Sequence, residues 1–430
     1  MNAQEPTRRP AGAAGAVQPS DLAALLSGPR WEPLPRPTDA PVQRVRVMRA
    51  EHEQHRAASA PGGAAVEVLA REDDRAIVRL QHRAPGARAV AVQINGWWHP
   101  DPPDGLDLVA QGDGWFTGAL SVPGDLCATI AFLEHHGDGG APADPPWWSE
   151  GLKGKRPAGP ARPQARPQAR PGGSLVLDLV RDRVVASHAA SSVPVHELAS
   201  AEGEPRAHWC AIGEDGGNVE DDEEGGDGAL PRSDLPLLVV TDGEAHLDRL
   251  DTPGVLAEAV RAGELPPLCA VFIDAWPERA RDLGVPGGQA AWIADTLVPR
   301  LRPTPDPRRT VVTGSSFGGL TSLFALARAP HRIGAVIAQS VSLWRYPHLA
   351  LAAPLRAALL SEAPGSVRIR LHAGHFEGTM GAAARELADA VSDATGATIP
   401  VRLHRGGHDW AWWQPAMVEE LAALLAPARP

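Results

Sequence analysis

The chain has 430 residues, 43% hydrophobic and 22% charged, enough for two ordinary globular domains and too evenly mixed for a fibrous protein. No run of about 18 apolar residues occurs and the N-terminal MNAQEPTRRPAGAAGAVQPS has no continuous apolar segment, so neither a membrane helix nor a secretory signal is expected. The net charge of −11 owes much to GEDGGNVEDDEEGGDG (213–228), which holds eight acids and no base, and this acidity argues against a nucleic-acid partner.

In chain order, residues 1–19 are rich in Ala, Gly and Pro and are expected to form a disordered tail. DLAALLSG (21–28) has the start and stop residues of a short helix. AAVEVLA, RAIVRL, AVAVQING, WFTGALSVP and CATIAFLEHH then read as β-strands, separated by PDG and GDG turns. They predict a small β-sandwich over roughly 60–140, within a first domain spanning 20–152. GKRPAGPARPQARPQARPGG repeats ARPQ and contains no acid, so 153–173 reads as an extended linker.

From 174 to 430 the texture changes. LPLLVVTDG, LCAVFIDA, RTVVTG, IGAVIAQS, SVRIRLHAG and IPVRLHRGG are apolar strand runs with helical stretches between them. Continuous apolar strands are buried on both faces, and alternating β and α elements make a mostly parallel sheet covered by helices. The last helix, around MVEELAALLA, is expected to dock on this sheet. The acidic stretch 213–228 reads as a solvated, disordered loop; a calcium site is the sharper alternative, but EF-hand ligand spacing is missing. Cys127, Cys210 and Cys269 are few and far apart, which fits a reducing cytoplasm and suggests neither a disulfide framework nor a metal site.

Gly314-Ser315-Ser316-Phe317-Gly318 fits G-x-S-x-G, with the required strand before it and helix after it. Ser316 holds the central position, where a sharp turn lifts the hydroxyl above the sheet, and Ser315 is the variable position. A serine hydroxyl needs a base. His408, between the last strand and the last helix, fits best; His404 belongs to the strand. Glu377, just after SVRIRLHA, supplies a carboxylate between them in chain order, while Asp409 is suited to capping the final helix. One oxyanion-hole amide is expected from Phe317 and the other from the turn Asp242-Gly243-Glu244, with Gly243 and Glu244 as the candidates.

The ordered set LLVVTDGE, IDAWPERARDL, GSSFGGL, AQSVSLWR, AGHFEG and GGHDWAWW resembles the enterochelin (enterobactin) esterase family from Leu235 to the end. The resemblance implies an α/β-hydrolase domain behind an immunoglobulin-like β-sandwich, the latter carried more weakly by AVAVQINGWWH and GDGWFTGALSVP. It implies a cytoplasmic serine esterase that opens ester bonds of a ferric siderophore, with nucleophile Ser316, base His408 and acid Glu377. No cofactor is implied, iron arriving only with the substrate. Arg279, Arg281, Trp344, Arg345, His375 and Trp410 are the expected substrate contacts, and Trp97, Trp98, Trp147 and Trp148 a candidate wall above the site. The chain departs from the family pattern at His375-Phe376, where a basic pair is common, at His246, where tryptophan is common, and at Arg345, where a second tryptophan often stands. An esterase or acyltransferase on an unrelated acyl ester, a peptidase and a non-catalytic siderophore binder are the competing expectations.

Overall fold

The computed structural model describes residues 43–45, 64–72, 74–94, 107–136, 169–180, 183–186, 193–199, 201–213, 234–275, 279–346 and 348–426. The expected tail, the helix at 21–28, the acidic stretch after Gly213 and the four tryptophans Trp97, Trp98, Trp147 and Trp148 lie outside these residues.

The N-terminal part is antiparallel. Its strands are β1 (Gln43–Val45), β2 (Ala64–Glu72), β3 (Arg75–Arg83), β4 (Ala89–Ile94), β5 (Asp107–Gly112), β6 (Trp115–Pro123), β7 (Cys127–His135), β8 (Ala169–Asp178) and β9 (Arg183–Ala186). They follow the order β2-β3-β6-β5-β4-β7-β8-β9, with β1 added on β6. The GDG turn reading holds: Gly112, Asp113 and Gly114 all take positive φ and join β5 to β6. β5 pairs with β6 through Val109 and Ala110 and with β4 through Asp107 and Leu108, linking the two halves of the sheet. Val78, Leu80, Val92, Phe116, Ile130, Phe132 and Leu177 from both halves share one core.

The observed boundary differs from the expected one. Ala169, Arg170 and Pro171 pair with His135, Glu134 and Leu133, and β8 and β9 complete the N-terminal sheet. The register shifts between Ala131 and Leu133, and such a bulge is where a strand accommodates proline. Part of the Pro/Arg-rich stretch is therefore strand, and β8 and β9 side with the first domain.

The C-terminal sheet contains β10 (His196–Leu198), β11 (Ala207–Ile212), β12 (Leu237–Thr241), β13 (Leu268–Ile273), β14 (Thr310–Ser315), β15 (Ala335–Gln339), β16 (Arg368–Gly374) and β17 (Val401–His404). Their order is β10-β11-β13-β12-β14-β15-β16-β17. β10 and β11 are antiparallel additions at one edge; from β13 to β17 every pairing is parallel. β12, β13, β14 and β15 are buried at every residue, as their unbroken apolar runs require. Alternate residues feed two cores. Val239, Val271, Val312 and Val336 meet helices Phe317–Arg328, His348–Ser361 and Met380–Thr395 on one face. Leu238, Val240, Phe272 and Ile337 meet Thr252–Arg261 and Trp410–Leu425 on the other, so the last helix docks as its spacing predicts. No described helix is long and apolar enough to cross a membrane.

β12 is followed by β13 on one side, and the chain then crosses back to β14 on the other. The carboxyl ends of β12 and β14 thus flank a topological switch point, where open α/β sheets form their binding crevice.

His246, in the short helix Gly243–Asp248 after β12, is buried against Trp410 with Nδ1 2.8 Å from Thr252 Oγ1. Burial pushes its pKa down to about 3. The unfolded chain takes up this proton below about pH 6.5, whereas the fold excludes it. The stability it contributes is therefore complete above about pH 6.5 and declines as pH falls toward 3, by at most about 1.4 kcal/mol per pH unit. Urea unfolding at pH 7 and pH 5 should show a shallower loss in His246→Gln than in the wild type; equal losses would contradict a neutral, buried imidazole.

Candidate active site

The site residues all follow carboxyl ends of adjacent parallel strands. Asp242 and Gly243 follow β12, Ser316 follows β14, Ser340 and Ser342 follow β15, Glu377 follows β16 and His408 follows β17.

Ser316 stands at φ 61°, ψ −116°, a conformation that L-residues rarely adopt, between β14 and helix Phe317–Arg328. The two flanking glycines are required by close approach. A Cβ on Gly314 would come within 2.3 Å of Thr241 Oγ1, and one on Gly318 within 2.1 Å of the same atom. The bend brings the start of the helix against β12. Ser316 N–H donates to Gln339 O at 2.8 Å and its Oγ lies 3.1 Å from Ser342 Oγ. Among the described residues no hydrogen bond joins Ser316 to His408.

Glu377 and His408 are brought together, Glu377 Oε1 lying 2.6 Å from His408 Nδ1. The Glu377 carboxylate is buried, and its Oε2 accepts from Ser340 Oγ at 2.8 Å and from Gly374 N–H at 2.5 Å. Trp413 Nε1, which can only donate, donates to Ser340 Oγ at 2.7 Å. Ser340 must therefore direct its own proton at Glu377. The ionised carboxylate in turn favours the proton of His408 on Nδ1 and leaves Nε2 free to accept one. The Trp413 ring also meets the His408 imidazole edge to face, 4.7 Å between centroids.

Ser315 points away from this cluster. Its Oγ donates to Gln339 Oε1 at 3.1 Å, and Gln339 Nε2 donates to Trp413 O at 2.7 Å. Ser315 is thus part of a buried link between β14, β15 and the last helix.

Phe317 and Gly243 are the first residues of their helices, and Glu244 is the second, so their N–H groups have no acceptor within the helix. The Glu244 side chain is tied to Ala275 N–H at 3.0 Å, and burial pushes its carboxyl upward. A Cβ on Gly243 would come within 2.7 Å of the Ile273 backbone, so glycine lets this turn lie against β13.

The expected substrate contacts divide. Arg279 and Arg345 both face the Phe317 ring, at 5.4 and 4.5 Å from its centroid, and Trp344 packs on the same ring at 5.5 Å. Arg279 is held by a two-pronged ion pair to Asp242, with Nη2 2.8 Å from Oδ2. Arg345 Nη2 donates to Ala280 O at 2.6 Å, while its Nη1 is buried without a hydrogen-bond partner among the described residues. Trp410 packs on His246 and Trp413. His375 is exposed and edges Phe376. Arg281 does not join the group: its side chain is 72% exposed and bonds its neighbour Asp282, because the short helix Arg279–Asp282 turns it outward. Ser340, Ser342, Gln339 and Trp413 stand in the sequence only within the motifs AQSVSLWR and GGHDWAWW; their place at the end of β15 and in the last helix is the available signal.

The model of the Esterase family matches residues 229–424. An iron(III) enterobactin esterase of Dickeya dadantii is 33% identical over 210 residues, 44% of this chain and 48% of that protein. Over this C-terminal stretch the chain is similar to enterobactin esterases. An iron(III) salmochelin esterase of Escherichia coli is 30% identical over 208 residues, 44% of this chain and 50% of that one. The chain thus spans about half the length of the curated relatives it matches. The enterobactin esterase of Shigella flexneri, solved in the presence of enterobactin, superposes with a TM-score of 0.61 at 23% identity, over 84% of this chain and 95% of that one. This structural likeness speaks for the fold, and it extends the match well beyond the aligned half.

Ser316→Ala should abolish ester turnover, whereas Ser315→Ala should keep the greater part of it and lower stability by about 1 kcal/mol through its lost hydrogen bond. Steady-state kinetics and urea unfolding of both variants check this; the reverse pattern would move the motif frame by one residue. Glu377→Gln keeps the shape but places an amide N–H where one acceptor stood. It should lower kcat by roughly a thousandfold or more with little change in KM. A loss below tenfold would remove Glu377 from its assigned role.

Proposed function

We propose that this esterase cleaves the ester (lactone) bonds of an enterobactin-like ferric siderophore inside the cytoplasm, so that iron can be released. The observation that carries the reading is the buried Glu377 bonded to His408 Nδ1, on strand ends next to a strained Ser316. The names of the relatives support the substrate class. Cys127, Cys210 and Cys269 are buried and form no disulfide among the described residues, which is consistent with a reducing compartment. We read the C-terminal part as an α/β-hydrolase domain and the N-terminal strands as an immunoglobulin-like β-sandwich.

In the mechanism, Ser316 Oγ exchanges its Ser342 partner for His408 Nε2, which removes the hydroxyl proton as Oγ attacks the ester carbon. Phe317 N–H and an amide of Gly243 or Glu244 hold the developing oxyanion. The imidazolium, steadied by Glu377, passes its proton to the leaving alkoxide. Water then attacks the acyl-enzyme by the same route and frees a carboxylic acid and Ser316. No resident cofactor enters. Trp344 offers a face for flat aromatic groups, and Arg345 supplies positive charge beside it.

One observation favours a less anionic ester. Asp242 neutralises Arg279, so the pocket offers less positive charge than its arginine count suggests. Incubation with iron-loaded and iron-free catecholate trilactones, beside simple aryl esters, with products identified by mass spectrometry, separates the two. Linear products gaining one water per bond cut are expected from a trilactone. Turnover of aryl esters with every trilactone left intact would overturn the siderophore reading.

A further inference from the structure

His408 sits in the connection between β17 and helix Trp410–Leu425, a stretch containing Gly406 and Gly407 and no regular structure of its own. What holds it comes largely from the other domain. Cys127 N–H donates to Arg405 O at 3.1 Å, and Cys127 Sγ lies 3.1 Å from Ala411 O. Thr129 N–H donates to Asp409 Oδ2 at 2.5 Å and Thr129 Oγ1 to Asp409 Oδ1 at 2.8 Å. Both donors lie on β7 of the N-terminal sheet, and they grip positions on either side of His408. Asp409 is fully buried and its Oδ1 also caps the helix through Ala411 N–H at 3.1 Å. A Cβ on Gly406 would come within 2.8 Å of Cys127 O, so this loop is pressed against the β7 backbone. The acid's loop is held from the same side: Phe376, next to Glu377, packs on the N-terminal core and its N–H donates to Gly406 O at 3.1 Å.

We propose that Thr129 is a positioning residue for His408. It acts through Asp409, and the N-terminal domain is thereby part of the catalytic apparatus rather than only a neighbour of the substrate. A buried carboxylate needs its donors, and a helix cap occupies only part of Asp409. Thr129 satisfies both oxygens and so sets where the residue immediately before Asp409 points. The inference rests on the proposed roles of Ser316, His408 and Glu377.

The test uses the full chain and a neutral alkyl fluorophosphonate, which reports activation of Ser316 without any siderophore. Thr129→Val removes the hydroxyl at nearly constant volume. It should slow phosphonylation by roughly 10- to 100-fold, as expected for a displaced catalytic group, and lower kcat for an aryl ester with KM unchanged. Thr129→Ser keeps the hydroxyl and should restore both to within about twofold. If Thr129→Val does not fold, Asp409→Asn serves in its place: it keeps an oxygen for the helix cap, gives up one of the two acceptors for Thr129, and should slow labelling likewise. Labelling of the folded variant at the wild-type rate, or an equal loss in Thr129→Ser, overturns the positioning role alone. Failure of the wild type to label at Ser316 overturns the proposed nucleophile as well.

Discussion

The structure turns on one buried carboxylate. Glu377 lies out of water after β16, and a charge in that position is tolerated only where donors surround it. They come from three places: the Gly374 backbone, Ser340 at the end of β15, and His408 beyond β17. The Trp413 indole completes the set by removing any choice in the direction of the Ser340 hydroxyl. Satisfying one charge therefore ties together three strand ends and the last helix. It also favours the imidazole tautomer that the proposed mechanism uses.

The sheet decides where this cluster can stand. Six consecutive parallel strands from β13 to β17, in their crossed order, present their carboxyl ends along one edge. Each end is followed by a loop with room for a polar side chain. The glycines of G-x-S-x-G allow the Ser316 helix to approach Thr241, and Gly243 allows the neighbouring turn to approach β13. Two helix starts thus come to the same corner, with N–H groups that the helices themselves leave unused. Strain at Ser316 is offset by burial of the surrounding strand and helix, nearly all of which lies in the core.

Charge and aromatic surface around Phe317 are arranged by pairing. Arg279 and Arg345 flank one ring, but Asp242 takes up the first, leaving the second with a nitrogen that has no hydrogen-bond partner among the described residues. The aromatic residues of GGHDWAWW do different work at each position. Trp412 donates to Gly407 O and stacks on His404, Trp413 serves Ser340, and Trp410 covers His246. A run of similar residues in sequence is thus three distinct contacts in space, because helix geometry points successive side chains in different directions.

The sequence by itself determined the parallel strands, the elbow at Ser316 and the positions of His408 and Glu377, because each follows from local periodicity, glycine placement or chain order. The alternating strands of the N-terminal part were legible for the same reason. Only the tertiary structure decided that β8 joins the N-terminal sheet, since a proline-rich stretch reads as linker until a bulge in the strand accommodates it. Only the tertiary structure turned Arg281 outward, paired Arg279 with Asp242, and made Ser340 a ligand of Glu377. The contacts of Thr129 with Asp409 join residues 280 positions apart. No local pattern encodes such a pair; it exists because two sheets, each folded by its own apolar periodicity, bury a shared polar contact where they meet.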